Sequence, residues 1–175
     1  MQRDPVKIVL AVVLALYFLW CAYDPFAAIF LHGINLAIHE TGHLLFRPFG
    51  EFLMVAGGSI FQVVMPLVFF GYFLWNDKPY SASIVLLWVG QSITDVAVYA
   101  ADAVVMQLML TSGLTGSEGG FHDWNYLLTT TGLLGQTKIV AGLIRFLGTA
   151  IIIFGATGSL LYATKGEKLF SGSDD

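Results

Sequence analysis

Residues 25–46 read PFAAIFLHGINLAIHETGHLLF, and the fold class follows from asking which solvent such a stretch needs. A helix crosses the roughly 30 Å hydrocarbon core of a bilayer with about 20 apolar residues. This stretch reaches that length, and its polar members gather at His32, Asn35, His39, Glu40, Thr41 and His43. It reads as a membrane helix, either crossing or re-entrant, that carries an unusual polar face.

Four further apolar stretches surround it. Ile8 to Tyr23 follows Arg3 and Lys7 and ends at Asp24-Pro25, where proline breaks one helix and starts the next. Phe52 to Trp75 follows the polar turn Arg47-Pro48-Phe49-Gly50-Glu51 and is closed by Asn76-Asp77-Lys78-Pro79. Ser81 to Leu110 is interrupted only by Asp95 and Asp102, and Ile139 to Thr164 only by Arg145. The expected fold is therefore all-α and polytopic, with about five transmembrane helices. It forms one membrane domain over residues 1–164 and a polar C-terminal tail over 165–175. Between the last two stretches, Thr111 to Lys138 is a long glycine-containing segment, of the kind that is functional or disordered in compact proteins.

Composition agrees. Hydrophobic residues make up 57% of the 175 and charged residues 11%, against roughly a quarter charged in soluble domains. The 8 Lys and Arg are scattered and the net charge is −4, so no basic patch exists for a phosphate backbone and nucleic acid is not expected as a partner. The single cysteine, Cys21, allows no internal disulfide. Bulky Trp20 before it argues against a lipoprotein signal, and the first apolar stretch is read as retained rather than cleaved. If all five stretches cross, Arg3, Lys7, Arg47 and Lys138 share one face, and Lys78, Lys165 and Lys168 the other. The positive-inside rule then puts the N-terminus in the cytoplasm, in a bacterial-type inner (plasma) membrane.

His39-Glu40-Thr41-Gly42-His43 fits H-E-x-x-H. Two histidines four apart share one helix face and can both reach a Zn²⁺ ion, while the adjoining glutamate faces water activated by the metal. Three polar side chains at membrane depth cost several kcal/mol unless used or paired. The expected roles are His39 and His43 as metal ligands, Glu40 as general base and Zn²⁺ as cofactor. Asn35 and Gln62 are candidates for contact with a substrate carbonyl or for bridging helices.

The segment from Asn35 to Pro66, with H-E-x-G-H, a short turn at Gly50, Gly57-Gly58-Ser59 and an apolar helix with Gln62 and Pro66, resembles the site-2 protease type of intramembrane zinc metallopeptidase. The resemblance implies hydrolysis of peptide bonds in transmembrane protein or peptide substrates within the bilayer, by a metallopeptidase-like domain in which Glu40 is the base. A homo-oligomer is left open. The family's usual third ligand, an Asp in a Pro-rich D-G motif, has no counterpart here.

Four residues remain as third ligand: Asp95, Asp102, His122 and Asp123. At about 1.5 Å per residue, His39 and His43 lie roughly 6 to 12 Å inside the face holding Arg47, Asp102 about 12 Å and Asp95 about 22 Å. Asp95 is then too deep. Arg145, at about 10 Å by the same count, matches Asp102 and is expected to pair with it. The long segment would then supply the ligand, His122 first and Asp123 second, with Asp102 closest to the family's helix order. Rival readings are a proton or metal-ion transporter and a catalytically inactive protease homologue that binds membrane partners.

Overall fold

A computed structural model describes residues 4–24 and 30–165. Helix α1, Pro5–Tyr23, begins with proline in its first turn behind Asp4, whose carboxylate accepts from the amides of Val6 and Lys7. Helix α2 is Phe30–Phe46, α3 Glu51–Trp75, α4 Pro79–Ala101, α5 Asp123–Thr130 and α6 Thr137–Lys165. Among the described residues the only bridge between extended segments joins Met109 to Thr115.

The all-helical reading holds, and four helices are long and apolar enough to cross a membrane: α1, α3, α4 and the one containing α6. Their outward faces carry large exposed apolar side chains, such as Val9 and Leu16 of α1, Val68 of α3 and Phe146 and Phe154 of α6. In water such patches would drive association, so a bilayer is their fitting solvent. The described part of α2 has 17 residues, about 25 Å of helix and short of a full crossing. Residues 25–29, with which that stretch was expected to begin, lie outside the described residues, as does most of the expected tail.

Helix α4 is central, with over half its residues buried. It packs on α6 at glycines: a Cβ at Gly90 would stand 2.7 Å from the Gly148 carbonyl oxygen, and one at Gly148 2.8 Å from that of Gly90. Small residues let helix backbones approach where no hydrophobic drive exists between helices. Helices α2 and α3 form an antiparallel hairpin through Gly50, whose φ of +94° suits glycine. They touch backbone to backbone, because a Cβ at Gly42 would collide with Gly57.

Two expectations are corrected. The stretch expected as one helix from Ser81 to Leu110 is helical only to Ala101. There the Asp102 carboxylate turns the chain by accepting from the amides of Gln107 and Leu108 at 3.0 and 2.9 Å. The Asp102–Arg145 pair does not form either. Arg145 instead donates to the carbonyls of Ala22 and Tyr23, both at 3.1 Å, and so caps the negative end of α1.

Candidate metal centre

The site is assembled by three elements. On α2, His39 and His43 sit one turn apart, edge to face, with ring centroids 4.8 Å apart. Across from them lies Gly58 of α3, where a Cβ would stand 2.5 Å from His39 Nε2 and 2.7 Å from His43 Nε2. The third element is α5, whose first residue, Asp123, brings Oδ2 to 2.9 Å from His39 Nε2 and 3.1 Å from His43 Nε2. One ligand atom from each of the three residues lies within 4.8 Å of the others. Tetrahedral coordination at about 2.0–2.1 Å separates neighbouring ligands by about 3.3 Å, so a small outward movement accommodates an ion.

The hydrogen bonds behind the rings decide which nitrogens face the centre. His43 Nδ1 lies 2.9 Å from the Met54 carbonyl oxygen, which can only accept, so Nδ1 carries a hydrogen and Nε2 is the nitrogen turned to the centre. His39 Nδ1 lies 3.1 Å from Gln62 Oε1, and Gln62 is turned that way because its Nε2 donates to the Ser92 carbonyl. His39 is therefore also an Nδ1–H donor, with Nε2 turned to the centre. Both Nε2 atoms and a carboxylate oxygen converge on one point, where the rings can donate to Asp123 when protonated or, once deprotonated, turn two lone pairs and a carboxylate oxygen to a cation. Ligating histidines are held by such outer bonds, which also raise their basicity.

Asp123 is placed by the way α5 begins. His122 is the helix cap, with Nδ1 accepting from the Asn125 amide at 3.2 Å and Nε2 paired to Asp102 Oδ2 at 3.2 Å. Burial pushes its imidazole below the usual range despite the Asp102 carboxylate, which favours the neutral ring that can accept a cap bond. Tyr99 Oη accepts from the Asp123 amide at 3.1 Å, Trp124 Nε1 donates to Ser59 Oγ at 3.1 Å, and Asn125 donates to the Ala103 carbonyl at 2.8 Å. The helix dipole favours an anion at this end.

The geometry brings Asp123, rather than His122, to the histidine pair. Both His122 ring nitrogens are engaged elsewhere, Asp102 holds His122 and two backbone amides, and Asp123 faces the histidine pair. Glu40 is half-buried and lines the same cavity, of about 570 Å³, as His39, His43 and Asp123. Asn35 is not a substrate contact: its amide donates to Gln91 Oε1 and Asp95 Oδ2, and its oxygen accepts from Trp88 and Ser92. All four of its hydrogen-bonding positions are filled. Gln62, 6% exposed, is likewise committed to His39. Sequence reading missed the placing roles of Tyr99, Ser59 and Trp124. The one available signal was the polar seam Asp95, Tyr99 and Asp102 at helical spacing.

Comparison with family models, curated proteins and solved structures found no match.

Proposed function

We propose that this chain is a zinc-dependent intramembrane endopeptidase that hydrolyses peptide bonds of membrane-embedded substrates. The observation that carries it is the convergence of His39 Nε2, His43 Nε2 and Asp123 Oδ2 beside Glu40 in a cavity between apolar helices. Two imidazoles and a carboxylate are a common catalytic zinc donor set, which leaves a fourth position open. Bound there, zinc supplies a Lewis acid that polarises a carbonyl and acidifies water. Glu40, next to the first ligand on the helix, accepts the proton of the attacking water and returns it to the leaving amine. Gln62 and the Met54 carbonyl keep both rings in the ligating tautomer, and Tyr99 and Trp124 hold Asp123 against them. The apolar exterior and the Lys and Arg distribution support an inner-membrane location with a cytoplasmic N-terminus.

The test is protein purified in nanodiscs, assayed for bound metal and for cleavage of a single-span peptide by mass spectrometry. One zinc per chain is expected, lost in His39→Ala, His43→Ala and Asp123→Ala. Glu40→Gln should keep the zinc and lose cleavage. A metal-free protein, or undiminished turnover in Glu40→Gln, overturns the reading.

A further inference from the structure

The cavity that contains the metal cluster holds a second polar constellation for which the hydrolytic steps have no use. His32 Nδ1 lies 3.0 Å from Asp95 Oδ1, and the Asn35 amide donates to Asp95 Oδ2 at 2.5 Å. The Asp95 side chain is 11% exposed and that of His32 38%, and both line the cavity. His32 precedes His39 by seven residues on α2, about 10 Å along the axis. A peptide in extended conformation covers that distance in about three residues at 3.3 Å each.

Charge separates the two ends. Among the described residues the cavity is lined by Glu40, Asp95 and Asp123 and by no lysine or arginine. A divalent ion would offset the two carboxylates at its own end, which leaves Asp95 as the negative pole of the other. An ionised carboxylate offers about four lone-pair directions. Among the described residues His32 and Asn35 account for two, so Asp95 retains capacity to accept from a ligand. The lining also includes apolar side chains, Leu36, Val98 and Leu108 among them, and the alkyl stem of a long basic side chain fits such a surface while its charged tip reaches a carboxylate. The attraction is strengthened by partial burial, because the effective dielectric constant there is below that of water.

We propose that His32 and Asp95 form a subsite for a lysine or arginine side chain about three residues from the cleaved bond. The assignment rests on the peptidase reading for its substrate, and it selects membrane-embedded segments with a basic residue near the scissile bond.

The experiment scans Lys, Gln and Glu through a single-span peptide in nanodiscs. Dissociation constants are read by fluorescence anisotropy with zinc-loaded Glu40→Gln protein, in which the peptide stays intact. At one position Lys should bind at least tenfold more tightly than Glu, with Gln between, and Asp95→Asn in the same background should bring Lys to the affinity of Gln. Equal binding of all three peptides at every position overturns the subsite and leaves His32 and Asp95 as a joint between α2 and α4. If Asp95→Asn fails to fold, the comparison of Lys with Glu on native Asp95 decides alone. If protein with native Glu40 shows the same lysine preference yet cleaves none of the peptides, the peptidase reading fails and the subsite stands.

Discussion

At Gly58 a single hydrogen stands where any other residue would place carbon 2.5 Å from His39 Nε2. Gly58→Ala should therefore abolish stoichiometric metal binding while helical content, read by circular dichroism, stays near that of the parent. Retained zinc at full occupancy would show that the rings can retreat. Gln62 acts through the opposite nitrogen of His39, and losing such an outer partner costs about 10- to 100-fold in metal affinity. Gln62→Leu should show that loss in a competitive zinc titration, whereas Gln62→Glu, which still offers an acceptor, should recover most of it. The histidine pair was legible in the sequence because its geometry is local, fixed by one helical turn. The choice between His122 and Asp123 was not, because adjacent residues exchange roles with the starting point of α5, and that start depends on Tyr99, Ser59 and Asp102, all distant in sequence.

At the scale of elements, α5 is a short helix whose placement is a matter of hydrogen bonds rather than of length. His122→Ala removes its cap, which costs about 1 kcal/mol, and leaves Asp102 without an imidazole partner. Zinc affinity should fall, yet by less than in Asp123→Ala, and Trp124→Phe should give an intermediate loss by releasing Ser59. A His122→Ala protein as metal-free as Asp123→Ala would restore His122 to the ligand set. The misread end of α4 has a related cause. Ala103, Val104, Val105 and Met106 continue the apolar composition of the helix past Asp102, so hydropathy sees no break, while the Asp102 carboxylate competes for backbone amides. Depth counting then paired Asp102 with Arg145, because it assumed straight helices of full length and could not see the open carbonyls at the end of α1.

For the whole molecule, the helical membrane class was written in composition and apolar length, which need no tertiary information. Acid should empty the centre, since the imidazoles and the carboxylate must be deprotonated to ligate. Zinc retained after dialysis should be full near neutral pH and fall as pH drops through the range in which these ligands take up protons. Retention at pH values well below the ordinary carboxylate range would argue against this ligand set.

His39 and Asp123 are 84 residues apart in the chain, and one ion bound between them would close the end of α2, all of α3 and α4 and the segment beyond into a single ring. Closing a chain of that length restricts the unfolded ensemble much as a covalent cross-link does. In a protein whose one cysteine rules out an internal disulfide, the ion would be its reversible clasp. The melting temperature should then rise with free zinc as mass action requires, and a chelator should lower it even in Glu40→Gln, where no chemistry is at stake.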